Sequence, residues 1–99
     1  MEEFDFSVFD DEITNAIKSM KLTFSFHELI LEIAKNNQSQ YIKALFAYEK
    51  TERPFMYVHQ QLSFLMKKHE GNVIKNIGKK PSKDIFGKSN TCVYWERII

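Results

Sequence analysis

Ninety-nine residues, 43% of them hydrophobic and nine of them Phe, suffice for one domain with a real core, while a lone cysteine, Cys92, excludes an internal disulfide or a thiolate-rich metal site. No apolar run approaches the roughly 20 residues of a membrane helix, and the acidic opening MEEFDFSVFDDE is the reverse of a basic secretory leader, so a cytoplasmic, non-secreted chain is expected. The net charge of +1 hides an asymmetry: residues 1–12 hold six acids and no cation, whereas the rest hold all 14 Lys and Arg against seven acids.

Phe4, Phe6 and Val8 alternate with Asp5 and Ser7, the period of a short strand or of an arm that docks through its aromatic rings. Residues 1–9 are therefore expected to form an acidic-aromatic N-terminal arm, and 10–99 the domain proper. Asp10 or Asp11 can cap a first helix over about 11–20, with Ile13, Ile17 and Met20 on one face. Leu22, Thr23 and Phe24 favour a short strand. Ser25 with Glu28 spells a capping box ahead of a second helix over about 26–36, which buries Phe26, Leu29, Ile30 and Ile33. Ser39 can cap a third helix running to about Lys50. Its apolar face holds Tyr41, Ala44, Leu45 and Tyr48, widened by Ile42 and Phe46.

Pro54 suits the first turn of a fourth helix, over about 54–69, because the N–H it lacks has no partner there in any case. Phe55, Val58, Leu62, Leu65 and Met66 form the face to be buried. The cations of Lys67-Lys68-His69 and then Gly71 favour a stop. After Gly71 the period changes to that of strands, at 73–77 and 91–98, and between them lies a turn-rich basic loop, 78–90, GKKPSKDIFGKSN. Ile85 and Phe86 within it predict a loop that folds back on itself.

This order of elements, with the stretch VHQQLSFLMKKHEGNVI at 58–74 running from a helix tail into a hairpin, resembles the winged helix-turn-helix superfamily. The resemblance covers about residues 10–99 and is one of layout, with no single family's motif in it. It implies an α+β fold: a small winged-helix domain of three to four helices with a C-terminal β-hairpin wing. It also implies a choice of partner, because winged helices commonly bind duplex DNA and a sizeable minority bind proteins.

On the fourth helix the face opposite the core carries Tyr57, Gln60, Phe64 and Lys67, extended by Arg53 and Lys68. Gln can read adenine by a bidentate pair, and Tyr, Arg and Lys can reach phosphates. The wing lysines Lys79, Lys80, Lys83 and Lys88 suit backbone contacts beside that helix. Phe64 sits awkwardly in a groove-reading stripe. With Phe4, Phe6 and Phe9 of the arm it forms the candidate partner-binding set.

Other signals fail on their physical context. SKDIFGKS at 82–89 ends like a phosphate-binding loop, but its first glycine is Ser82, and a strand follows where a helix should. His27, His59 and His69 lack metal-ligand spacing, and His59 reads as a satisfied histidine at the edge of the core. Cys92 in a strand packs more readily than it reacts. Trp95 is expected to plug the core between wing and helices. Asn37-Gln38-Ser39 is a glycosylation sequon without meaning in an intracellular chain. No catalytic grouping or nucleotide loop is legible, so neither an enzyme nor a cofactor is expected.

Two functional readings remain. The first is a DNA-binding transcriptional regulator, with helix 54–69 and the wing on duplex DNA. The second is a protein-interaction module, an inhibitor or adaptor of the kind small phage and plasmid genomes encode. A homodimer paired through the arm is compatible with two-fold DNA reading.

Overall fold

The computed structural model describes residues 4–98. The chain opens on a 3-10 turn, Phe6–Phe9, capped by Asp5, whose Oδ1 accepts the Ser7 N–H at 3.0 Å. This corrects the expected arm. A strand would put Phe4, Phe6 and Val8 on one side, whereas the three-residue period of the turn aligns Phe6 with Phe9 and leaves Val8 in solvent. Phe6 and Phe9 are buried in the same core as Ile13, Ile17 and Phe24, and Phe4 packs half-buried against it. The three rings lie 5.1 to 6.2 Å apart between centroids. Residues 4–9 thus belong to the domain, and Phe6 and Phe9 are spent on its interior instead of being offered to a partner. Glu2 and Glu3 lie outside the described residues.

Helix α1, Asp10–Ser19, follows directly, with Asp10, Asp11 and Glu12 in its first turn, where the helix dipole favours anions. It buries Ile13, Ala16 and Ile17. Strand β1, Thr23–Ser25, leads into α2, Phe26–Asn36. The capping box between them is complete: Ser25 Oγ accepts the Glu28 N–H, and Glu28 Oε1 accepts the Ser25 N–H, each at 3.1 Å. Leu29, Ile30 and Ile33 of α2 point inward, while Phe26 is half-buried.

Helix α3 spans Gln38–Ala47, one turn earlier than its expected end, and Asn37 precedes it in place of Ser39. Tyr41 and Ala44 are buried. Ile42 and Phe46, expected to widen that face, are instead 63% and 68% exposed. Each follows an inward residue by one position, which on a helix is a rotation of about 100° away from the core. Helix α4, Pro54–Lys68, buries Val58, Leu62, Leu65 and Met66 as expected. Phe55 departs from expectation: at 37% exposed it lies outside the core and meets the wing.

Strands β2, Ile74–Lys83, and β3, Ser89–Arg97, complete a three-stranded antiparallel sheet of order β1-β3-β2. Trp95 stands between Phe24 and Asn76 in register, and its side chain is buried in the core as expected. The long loop expected over 78–90 is for the most part paired strand. The ladder continues from Lys79↔Val93 to Lys83↔Ser89 after a register shift between Asn76 and Lys79. Gly78, at φ +102°, supplies the backbone conformation of that bulge, which side-chain-bearing residues rarely adopt. Poor strand formers are tolerated because β2 is an edge of the sheet, where Lys and Pro81 also discourage pairing with another chain.

The closing turn is organised by Asp84. Its Oδ1 accepts the N–H groups of Phe86 and Lys88 at 2.9 and 3.0 Å, and its own N–H donates to the Lys88 carbonyl at 2.8 Å. The described residues form an α+β domain of four α-helices and a three-stranded antiparallel sheet, consistent with a small winged-helix domain. In that layout the β2–β3 hairpin takes the place of the wing, and α3 is an added helix between α2 and α4.

Candidate nucleic-acid interface

With Val58, Leu62, Leu65 and Met66 turned inward, the 3.6-residue period turns Tyr57, Gln60, Phe64 and Lys67 outward. All four are exposed, as are Arg53 before the helix and Lys68 in its last turn. Met56, one turn before Gln60, is exposed too and was overlooked in the sequence. Its signal was the four-residue spacing Met56, Gln60, Phe64. Tyr57 is not wholly free, because its ring stacks on Tyr48 at 6.0 Å and 6° between planes. Phe64 is 48% exposed, and the Lys67 ammonium stands 5.5 Å from its ring centroid, within the range of a cation–π contact.

Lys79, Lys80, Lys83 and Lys88 are all solvent-exposed. The first three lie on strand β2 and the fourth follows the Asp84 turn, so the cations line a hydrogen-bonded ribbon instead of a loose loop. Strand geometry spaces Lys79 and Lys83 by roughly 13 Å. Lys80 stands 5.5 Å from the Tyr94 ring, and the Tyr94 hydroxyl donates to the Pro81 carbonyl at 3.0 Å. Lys75, on the same strand and also exposed, adds to this charge.

The wing is tied to the helices at two points. The Ser82 hydroxyl lies 3.1 Å from the Ser25 hydroxyl, at the start of α2. At the tip, Phe86 meets Phe55 edge-on, with centroids 5.0 Å apart at 90°. The lining of a cleft of about 670 Å³ is shared among the wing tip, the start of α2 and the first half of α4. Arg53, Met56 and Gln60 of the outward stripe contribute to it, together with His27, His59 and Asp84. His59 is held to Tyr41 by a 2.6 Å contact between its Nε2 and the tyrosine hydroxyl, as a satisfied histidine should be. Burial, reinforced by His27 and opposed by Asp84, pushes His59 down from 6.5 to about 4. Burial likewise pushes Tyr41 up from 10.0 to about 12.

Among the described residues, no three His, Cys, Asp or Glu come together as a metal would require. Cys92 is buried in β3. The 82–89 segment is a hairpin turn followed by a strand, with no helix to present to a phosphate. Of the candidate partner-binding residues, only Phe64 is exposed. Among the described residues, no helix is long and apolar enough to cross a membrane.

No family model matches the chain, and neither the curated proteins nor the solved structures contain a match to it.

Proposed function

We propose that this chain is a winged-helix DNA-binding protein, a small transcriptional regulator, with α4 in a groove of duplex DNA and the basic wing along the backbone. One observation carries the reading. The outward stripe of α4, with Arg53, Gln60, Lys67 and Lys68, and the paired ribbon bearing Lys79, Lys80, Lys83 and Lys88 are both exposed. The Phe55–Phe86 contact fixes that ribbon to the start of the same helix. Gln offers base-edge hydrogen bonds and the cations offer phosphate contacts, which is the division of labour that duplex recognition needs.

Fluorescence anisotropy on a mixed-sequence duplex at two salt concentrations tests this. Affinity should fall steeply with salt, because each phosphate neutralised releases counterion. It should be lost when Lys79, Lys80 and Lys83 are replaced together by Glu. Equal affinity for that triple variant and the wild type would overturn the reading.

The alternative is a protein-interaction module, a small inhibitor or adaptor. It is favoured by the exposure of Phe46 and Ile42 on α3, an apolar pair one turn apart that the fold itself leaves uncovered. Homodimerisation through that pair is one form of it. The arm-mediated form expected from the sequence is disfavoured by the burial of Phe6 and Phe9. Light scattering over a concentration series, for the wild type and for Phe46→Ser, separates a dimer from a monomer.

A further inference from the structure

The outward stripe of α4 is unusual for a groove-reading surface in one respect. Its single amide, Gln60, lies between two large apolar side chains, Met56 and Phe64, each four residues away and each about half exposed. Four residues of helix rise about 6 Å, close to two base-pair steps of about 3.4 Å each. Three side chains on such a stripe therefore face a run of roughly four base pairs. The flanks are cationic: Arg53 precedes the stripe, and Lys67 and Lys68 follow it. The Lys67 ammonium lies 5.5 Å from the Phe64 ring, so that ring is set beside a group suited to a phosphate.

We infer that this stripe selects A·T-containing major-groove sequence, with Gln60 pairing to adenine and with Phe64 and Met56 covering thymine methyl groups. The inference rests on the DNA-binding reading above. In the major groove only thymine presents an apolar group, its C5 methyl, and adenine presents the N7 acceptor and N6 donor that a Gln amide can meet with two hydrogen bonds. A polar or charged residue at 56 or 64 would find partners at any base pair. An exposed Phe or Met finds a favourable contact only where a methyl replaces water. The apolar residues that make this face awkward as a generic phosphate-binding surface thus become its specificity elements. Their charged surroundings argue for a polyanion over an apolar protein groove as the occupant. The uncovered Ile42 and Phe46 belong to α3 and are not needed for the contact.

The test replaces thymine by deoxyuridine, which removes the methyl and leaves the hydrogen-bonding edge unchanged. An A·T-rich and a G·C-rich duplex of equal length, and the A·T-rich duplex with uridine for thymine, are titrated with the wild type, Phe64→Ala and Gln60→Ala. Phe64 is exposed, so its truncation leaves the core intact, and circular dichroism checks this. The wild type should prefer the A·T-rich duplex and lose about fourfold in affinity for each covered methyl on uridine substitution. Phe64→Ala should bind the thymine and uridine duplexes more nearly alike, and Gln60→Ala should narrow the gap between the A·T-rich and G·C-rich duplexes. Duplex binding that ignores the methyl overturns this inference and leaves the DNA-binding reading standing. Absence of binding to any of the three duplexes overturns both and assigns the stripe to a protein partner.

Discussion

The Tyr41 hydroxyl stands 2.6 Å from Nε2 of His59, joining the added helix α3 to α4 through one polar contact at the edge of the core. The rings also stack, with centroids 6.0 Å apart at 22°. Tyr41→Phe keeps the ring and removes the hydrogen bond, leaving an imidazole nitrogen without its partner. The expected cost is about 1 to 3 kcal/mol, read as a lower urea midpoint with an unchanged slope. An unaltered midpoint would mean that water replaces the hydroxyl without penalty.

The same histidine makes stability depend on pH. In the folded chain His59 is held neutral down to about 4, whereas in the unfolded chain it takes up a proton near 6.5. Its contribution is therefore complete above pH 6.5 and is lost as the pH falls from there towards 4. The slope is at most about 1.4 kcal/mol per pH unit for one proton. Below pH 4 both states are protonated and the loss stops growing. Tyr41 acts at the other end: neutral to about 12 when folded against 10.0 when unfolded, it withdraws stability between those values as the pH rises. Urea melts at pH 7, 5.5 and 4.5 on the wild type and His59→Gln isolate the histidine, because every other ionisable group is common to both proteins. The wild type should lose more stability than the variant across this range, and parallel losses would show that His59 is not the group responsible.

What could be read from the chain and what could not divides along the range of the interactions. The start of α2 was legible because a capping box needs only Ser25 and Glu28, three residues apart. The outward stripe of α4 was legible because Val58, Leu62, Leu65 and Met66 state the helical period by themselves. Much of the candidate site therefore stood in the sequence: Arg53, Gln60, Phe64, Lys67 and the wing lysines are all exposed where expected. The wing's length was not legible. Gly78, Lys79, Lys80 and Pro81 are weak strand formers, and what pairs them is β3, itself held in place by β1 more than 60 residues earlier in the chain. Phe55 misled for a related reason. Its position suits the buried stripe, but the surface that covers it is Phe86, brought over by the Asp84 turn.

The N-terminal segment should behave as part of the core and not as a detachable arm. Phe9 is fully buried, and Phe6 lies against Tyr48 at 6.2 Å between centroids. Phe9→Ala should cost about 3 to 5 kcal/mol through lost burial and the cavity left behind. Removing residues 1–10 should lower the melting temperature by many degrees. Phe46→Ala, a truncation of the same size on an exposed side chain, should change stability by less than about 0.5 kcal/mol. A truncated chain that melts with the wild type would return the segment to the status of an arm.

The position of the wing's tip rests on Phe86, which is itself 63% exposed and so can be altered without opening the core. Its contact with Phe55 is the edge-to-face geometry that aromatic pairs prefer, worth about 0.5 to 1.5 kcal/mol beyond the area it covers. That is enough to hold a hairpin tip against a helix and little enough to be removed without unfolding the domain. In Phe86→Ala the Ser82–Ser25 contact and the β2–β3 ladder remain, so the hairpin stays paired, while the Asp84 turn, no longer held against α4, opens more readily. Hydrogen exchange should speed up at residues 84–88 and stay unchanged through β3. If the lysines act as a ribbon set beside α4, duplex affinity should fall by about threefold to tenfold, the cost of ordering a loosened tip. The salt dependence should stay the same, since every cation is still present. A drop in affinity with an altered salt slope would indicate instead that the tip's release changes how many phosphates are met.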